Sequence, residues 1–412
     1  MLSCYRALDL TDEKGFICGK VLADLGVDVI KIERPGGDPA RSIGPFYHDM
    51  AHPEKSLYWF AFNGNKRSIT LDIERTDGQE VLKKLAKTAD IVIESFAPGY
   101  MDKQGLGYSV LNQVNPMIVM TSISNFGQKG PYKEYKASEI VLWALSGMMY
   151  IVGDPDRPPL LSSYPHAYLF GGMQGAIGTV IALYQREMIG RGQQVDASAL
   201  MSLVRATGPE VQAPWELFRQ IVKREGRMRL RTGTGVRTPI LWRCKDGDVG
   251  FFLLLGANFI KANTALVEWI KSEGVDSGVM GQIDWKKVGW DEITEDVACQ
   301  INAILTEFFS RHTKQELYEE AIKKGIQIVP ALTAKETWEF PQFAARNYWV
   351  KIAHPELEAV MTYPGGFIKS TETTCGIRRR APLIGEHNEE IYKKELGFSA
   401  EELMILKQSR II

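Results

Sequence analysis

The sequence predicts an α/β fold in which helices cover a parallel sheet, with a smaller α+β domain inserted. Two observations support this class. Apolar, β-rich runs alternate with helical patterns from residue 20 to residue 121, which is typical of parallel strands joined by crossover helices. A hairpin signal and longer helical patterns then follow. We therefore expect 1–224 and 331–412 to form a large domain and 225–330 to form a small one.

The elements of the large domain follow one another closely. Residues 20–25 are helical and end at Gly26, and strands are predicted at 27–32, 68–71, 90–93 and 117–121. Asp77 is a candidate N-cap for a helix whose apolar face comprises Val81, Leu82, Leu85 and Ala86.

An apolar run at 167–183 is short for a membrane span and contains Gln174. Gly172, Gly175 and Gly178 recur every third residue, so that another backbone can approach this segment closely. We interpret the run as a buried helix in the core.

The remaining chain has other signals. Residues 215–231 are basic and irregular, and 239–252 predict a hairpin that turns at Asp246-Gly247. Helical patterns follow at 258–271 and 291–311, and a short helix is expected at 400–408 after a strand-and-loop segment.

The composition excludes several classes of function. The 49 basic and 50 acidic side chains nearly cancel, which gives no electrostatic reason to expect nucleic acid or a membrane surface as a partner. The five cysteines are scattered, so we expect reduced thiols in a cytoplasmic protein. His48 and His52 have helical spacing, but Pro53 argues against a metal site, and none is expected.

Several segments together resemble the family III CoA-transferases, the group that contains formyl-CoA and carnitine CoA-transferases. They run in the family's order from residue 5 to the C-terminus: Ala23–Gly26, Asp28–Gly37, Asn65–Asp72, Glu94–Gly99, Gly105–Tyr108, Ser122–Tyr132, Gly190–Asp196 and Ala381–His387. The resemblance implies a Rossmann-like large domain, a small domain, and two chains interlocked as rings. It also implies an aspartate nucleophile that attacks an acyl-CoA thioester.

Tyr168 stands where the family has this aspartate. A phenol, with an ordinary pKa of about 10, cannot form the mixed anhydride through which a carboxylate transfers CoA. The resemblance therefore predicts no catalytic residue in this chain.

The CoA contacts depart from the family pattern as well. The loop after the first strand reads Asp12-Glu13-Lys14-Gly15, and its acids oppose a phosphate-bearing ligand. Glu74, Ser95 and Trp143 replace a lysine, an asparagine and a glutamine. The basic residues that still match phosphate-binding positions, which we interpret as vestigial, are Arg34, Lys103, Lys133 and Lys136.

These departures predict a subunit that pairs with a homologous, aspartate-bearing chain. That partner is expected to bind the CoA thioester and to move CoA between an acyl-CoA such as succinyl-CoA and a carboxylic acid such as benzylsuccinate. No covalently bound cofactor is expected. Gly233 and Gly235, in the loop 232–235, are the candidate contribution of this chain to the partner's site.

Two other functions remain open. A self-sufficient CoA-transferase, isomerase or racemase could use Asp154, His166 and Tyr168, with Asp156 as a further acid near Asp154. Alternatively, the chain could be a binding or regulatory protein that keeps the fold without catalysis. Activity of the chain expressed alone discriminates among the three.

Overall fold

The computed structural model describes residues 1–226, 228–230, 236–289 and 292–412. Its strands are β1 Arg6–Leu10, β2 Asp28–Glu33, β3 Arg67–Thr70, β4 Ile91–Glu94, β5 Val119–Ser124, β6 Gln194–Ser198, β7 Met228–Leu230, β8 Arg237–Pro239, β9 Leu241–Cys244, β10 Gly247–Phe251, β11 Ile328–Pro330, β12 Trp349–His354 and β13 Ala359–Pro364.

Its α-helices are α1 Phe16–Asp24, α2 Leu57–Asn63, α3 Thr76–Ala86, α4 Tyr100–Lys103, α5 Tyr108–Val114, α6 Glu139–Leu145, α7 Met148–Ile151, α8 His166–Ile189, α9 Ala199–Thr207, α10 Ala213–Phe218, α11 Ile260–Ser272, α12 Glu295–Ser310, α13 Lys314–Lys324, α14 Ala334–Glu339, α15 Pro341–Ala345 and α16 Ala400–Gln408. Short 3₁₀ turns and two π-helical segments, Gly208–Gln212 and Glu389–Glu395, complete the described elements.

The chain divides into two compact units. The first comprises Met1–Met149, Leu161–Ile221 and Pro341–Ile412, and the second comprises Tyr150–Leu160 and Val222–Phe340. Each unit is a group of residues that contact one another. Such a group need not be a domain that folds independently. The domains 1–224, 225–330 and 331–412 therefore stay a prediction.

The first unit contains a six-stranded sheet in the order β3-β2-β1-β4-β5-β6, and every neighbouring pair is parallel. This is the strand order of the Rossmann fold, so the Rossmann-like prediction is confirmed. The strands carry β-branched runs, and β5 is buried along its whole length. The order reverses between β1 and β4, and such a switch point opens a crevice at the carboxyl ends of the strands.

The second unit holds a smaller core. Strands β9, β10 and β11 form an antiparallel sheet that packs with α11, α12 and α13 around apolar side chains, including Trp242, Phe251, Trp269, Phe308 and Phe309. Strands β7 and β8 pair separately, and in the first unit β12 and β13 form an antiparallel hairpin.

Two local predictions need correction. Arg75 is the N-cap of α3, and Asp77 lies inside its first turn, where a carboxylate still interacts favourably with the free N–H groups. The hairpin turns at Lys245-Asp246, one residue earlier than predicted, because Gly247 pairs with Cys244. The Asp246 carboxylate instead accepts a hydrogen bond of 2.8 Å from the Lys314 amide, a contact that no local pattern reveals.

The apolar run predicted as a buried helix belongs to α8, which is buried on one face only. Its glycines do allow close approach: a Cβ atom at Gly172 would lie 2.3 Å from Ile17, and one at Gly178 would lie 2.6 Å from Val195. The opposite face exposes large apolar side chains, so the prediction is wrong for that face. Among the described helices, α8 is the one whose length and composition would suit a membrane span, and 44% of its most apolar stretch is buried.

Candidate functional site

The carboxyl ends of β1–β4 surround a cavity of about 660 Å³ in the first unit. It lies at the switch point of the sheet, where α/β proteins bind their ligands. The loop after β1, the start of the segment after β2, the segment after β3 and the Ser95-Phe96 turn after β4 contribute to its walls. The charged residues that line it are Asp12, Glu13, Lys31, Glu33, Arg34, Asp38, Asp72, Glu74 and Arg410.

Two buried lysines fix the loop that joins β1 to α1. Lys66 donates to Asp9 at 2.8 Å and to the carbonyl oxygen of Phe16 at 3.1 Å, and both ionic side chains are fully buried. Lys31 donates to the carbonyl oxygen of Thr11. The loop 11–16 is therefore held at both ends, and its side chains have defined positions.

Tyr168 lies in the first turn of α8, three residues after the N-cap Pro165. Partial burial, followed by the nearby carboxylates of Glu13, Glu139 and Asp12, raises the pKa of Tyr168 to about 12. Among the described contacts its hydroxyl has no hydrogen-bond partner. At neutral pH this side chain is an un-ionised phenol and cannot act as a carboxylate nucleophile.

Glu13, in the loop after β1, supplies one of the carboxylates that raise the pKa of this tyrosine. Its side chain is half-buried and lines the cavity, and burial followed by the Asp12 charge raises the pKa of Glu13. Tyr58 is affected in the same way: burial and then Glu13 raise the pKa of its phenol. We group Glu13, Tyr58 and Tyr168 as one electrostatic cluster because the Glu13 charge acts on both phenols. The sequence pattern indicated Tyr168 and the acidic loop, but not Tyr58.

Three polar atoms near this cluster have no hydrogen-bond partner although they are buried. They are Glu139 Oε2, Trp143 Nε1 and His166 Nδ1. The other oxygen of Glu139 accepts the Ala167 amide of α8 at 2.9 Å, and the Trp143 and His166 rings lie 5.6 Å apart. Unpaired buried polar atoms cost free energy and are rare in protein interiors. The first turn of α8 therefore has incomplete polar pairing.

The predicted basic residues are distributed unevenly. Arg34 is exposed and lines the cavity, whereas Lys103, Lys133 and Lys136 are exposed outside the set of lining residues. Glu74, at the position of a family lysine, also lines the cavity and accepts the Tyr100 hydroxyl at 2.9 Å. Arg410 was not predicted as a site residue; tertiary folding brings it from the C-terminal segment, where the sequence predicted only a short helix at 400–408.

The other candidate residues fall elsewhere. Asp154 and Asp156 belong to Tyr150–Leu160 of the second unit, whereas His166 and Tyr168 belong to the first. Gly233 and Gly235 lie outside the described residues. No cluster of metal-ligating side chains occurs within the part of the chain that the structure describes.

A second cavity, of about 200 Å³, lies beside β4 and β5. Glu94 lines it and is buried, and burial raises its pKa to about 7 despite hydrogen bonds from Ser122 and the Phe96 amide. Neighbouring Asp12 and Asp102 add to this rise. The carboxyl ends of the strands therefore carry an excess of acids.

Comparison with known proteins identifies the class. The sequence profile described as CoA-transferase family III matches residues 6–388, and the chain belongs to this family. The chain is 31% identical to the succinyl-CoA:(R)-benzylsuccinate CoA-transferase subunit BbsE of Thauera aromatica, over 97% of this chain and 95% of the relative. It is 29% identical to the succinyl-CoA–L-malate CoA-transferase beta subunit of Chloroflexus aurantiacus, over 96% and 94% respectively.

A solved structure supports the fold. The CAIB/BAIF family protein of Brucella suis superposes with a TM-score of 0.79, at 24% identity, over 95% of this chain and 98% of that protein. The family resemblance that the sequence motifs indicated is therefore confirmed, and CoA thioesters are the substrates with which the family's chemistry is concerned.

Proposed function

We propose that this chain is the subunit without a nucleophile in a heteromeric family III CoA-transferase. The observation that carries the proposal is Tyr168 in the first turn of α8, with a phenol whose pKa is raised to about 12. A homologous chain that carries the aspartate is the partner. It binds the CoA thioester, and this chain holds no cofactor covalently.

The transfer requires a carboxylate because of its intermediates. An aspartate of the partner attacks the thioester carbonyl, forming a mixed anhydride and releasing the CoA thiolate. The thiolate then attacks the aspartyl carbonyl, which releases the donor acid and leaves an enzyme thioester. The acceptor carboxylate attacks that thioester, and the returning thiolate takes the acceptor acyl group and regenerates the aspartate. We propose succinyl-CoA as donor and benzylsuccinate as acceptor.

The exposed face of α8 supports a homologous partner. Five large apolar side chains follow helical spacing along it: Met173, Ile177, Ile181, Tyr184 and Met188. Ile181 is 61% exposed and Tyr184 is 72% exposed, and contiguous apolar surface of this kind marks interaction sites. The relatives include proteins named as subunits of CoA-transferases, which fits a homologous chain on this face, interlocked with this one. We propose that the assembly is cytoplasmic.

Co-expression tests this proposal. The chain alone and the chain with an aspartate-bearing homologue are assayed for CoA transfer from succinyl-CoA to benzylsuccinate. We expect activity only in the complex. Replacing the partner's aspartate by asparagine should abolish it, whereas Tyr168→Phe in this chain should change it less than about twofold. Transfer by the chain alone, or loss of activity in Tyr168→Phe, would contradict the proposal.

One observation favours a second candidate, an acyl-CoA isomerase or racemase with its own acid and base. The buried Nδ1 of His166 has no hydrogen-bond partner. The next residue in α8 is Ala167, whose amide donates a hydrogen bond to the Glu139 carboxylate. An imidazole near a carboxylate can exchange a proton with a substrate α-carbon. Solvent-deuterium incorporation into an acyl-CoA by the chain alone, lost in His166→Gln, would support this candidate.

A further inference from the structure

Glu13 differs from the other acids that line the large cavity. Glu33 is bound by Arg41 at 2.6 and 2.8 Å, Asp38 pairs with Lys31, and Asp12 pairs with Lys14 and accepts from Ser95. Asp72 accepts the Glu74 amide, and Glu74 accepts the Tyr100 hydroxyl.

Within the described residues, Glu13 in contrast takes part in no ion pair, and its carboxylate accepts no hydrogen bond from another residue. A half-buried carboxylate without an ion pair keeps much of its charge towards the cavity, because Lys14 and the surrounding water compensate that charge only in part.

The loop also prevents Glu13 from moving away. The amides of Gly15 and Phe16 donate to the Asp12 carbonyl at 2.9 and 3.2 Å, and the Asp12 amide donates to Ser95 Oγ at 2.8 Å. With Lys31 and Lys66 bound to the carbonyl groups of Thr11 and Phe16, the backbone on both sides of Glu13 is fixed. The side chain of Glu13 is therefore held in the cavity wall.

We propose that Glu13 is a specificity-determining residue that keeps CoA out of this chain's own cavity and so directs it to the partner. Coenzyme A carries several phosphate charges, and its thiolate is released next to the reacting carboxyl group. Glu13 lies in the cavity at the switch point of the sheet, and its carboxylate repels both kinds of anion. This inference rests on the proposed function and extends it, because a subunit without a nucleophile that held CoA would withdraw substrate from productive transfer.

Protonation of Glu13 should weaken the exclusion. The pKa of Glu13 is raised by burial and by Asp12, while Lys14 acts in the opposite direction and Asp38 adds to the rise. The phenols of Tyr58 on α2 and Tyr168 on α8 face the same carboxylate and stay un-ionised over this range. CoA should therefore enter the cavity more readily as the pH falls.

The test is the number of CoA molecules bound by the complete complex, measured by calorimetric titration with coenzyme A. The wild-type complex should bind one CoA for each pair of subunits at pH 8. Glu13→Gln should add a second site, with an affinity at least tenfold above any second-site binding of the wild type. The control Glu372→Gln removes the same charge from an exposed loop and should leave one site.

A single site in Glu13→Gln, or two sites in the wild type at pH 8, would overturn the inference. If Glu13→Gln does not assemble, Glu13→Ser provides the same decision, since a second site must appear in that variant as well. Failure of the proposed function can be distinguished from failure of this inference. If the proposed function is wrong, the chain alone transfers CoA, whatever number of CoA molecules the complex binds.

Discussion

Two sets of buried polar groups in the first unit differ in how they are paired. Beneath the cavity, Lys66 is bound by Asp9 and Asn63, and Arg41 forms two hydrogen bonds to Glu33 while its guanidinium lies 3.9 Å above the Trp59 ring. Around the first turn of α8, Trp143 Nε1 and His166 Nδ1 have no partner.

The difference distinguishes the residues that hold the loops of the site in place from the residues around the position of the family's nucleophile. The paired groups hold the loops at the ends of the strands, and their removal would expose uncompensated charge. The unpaired groups surround the position at which a nucleophile is absent. Under the proposed function, the paired groups preserve the fold, and the unpaired groups take no part in catalysis by this chain. The predictions below test this contrast.

Lys66→Met should have the largest effect. It leaves the Asp9 carboxylate buried without its main cation, and breaking a buried ion pair costs about 3–5 kcal/mol of unfolding free energy. Chemical denaturation of the complex measures the loss. Lys103→Met, at an exposed lysine that ends α4, should change stability by less than about 0.5 kcal/mol. Equal effects of the two substitutions would show that the loops of the site do not depend on this pair.

Glu94 tests an intermediate case, a buried carboxyl with hydrogen bonds and no cation. Its pKa is raised from 4.5 to about 7, so its favourable contribution is complete below pH 4.5 and is lost as the pH rises through 7. The lost free energy is about 3 kcal/mol, at 1.4 kcal/mol for each pKa unit. Glu94→Gln should remove this part of the pH dependence of unfolding. A profile identical to that of the wild type would contradict the raised pKa.

His354 and His166 allow a matched comparison of a histidine whose ring nitrogens are paired with one that has an unpaired buried nitrogen. His354 is fully buried and binds Glu356 at 3.0 Å and the Tyr363 hydroxyl at 2.8 Å. His354→Phe leaves the Tyr363 hydroxyl without its described partner, while Glu356 keeps its ion pair with Arg380, and the change should cost about 2 kcal/mol. His166→Phe removes a nitrogen that has no partner and keeps the ring stack on Phe170, so the change should stay within about 0.5 kcal/mol. Thermal unfolding of the two variants measures both losses of stability. A larger loss of stability in His166→Phe than in His354→Phe would contradict the prediction.

The smallest effect is expected at Tyr168. Tyr168→Phe removes a hydroxyl without a described partner and should change the free energy of unfolding by less than about 0.5 kcal/mol. Tyr363→Phe removes a hydroxyl that His354 binds, and should cost about 1 kcal/mol. Differential scanning calorimetry of both variants measures the difference. A loss in Tyr168→Phe as large as that in Tyr363→Phe would show that Tyr168 has a partner in the complex.

Much of the first unit could be predicted from the sequence because its signals are local. The strands at 27–32, 68–71, 90–93 and 117–121 are confirmed within a few residues as β2–β5, and the final helix is found as Ala400–Gln408. Apolar periodicity and glycine positions reflect structure over short stretches of chain, so they can be recognised in the sequence alone. The exposed face of α8 could not be predicted, since an exposed apolar face has the same sequence pattern as a buried one.

The sequence by itself determined the family, the Rossmann-like class and the absence of a carboxylate at Tyr168, because these depend on which residues occur in which order. Tertiary structure alone decided what surrounds that tyrosine. Glu13 comes from the loop after β1 and Glu139 from α6, and no local pattern relates them to Tyr168. Whether a carboxylate is paired, and where its pKa lies, depends on neighbours that are distant in the chain, so these properties arise only when the sheet brings its carboxyl ends together.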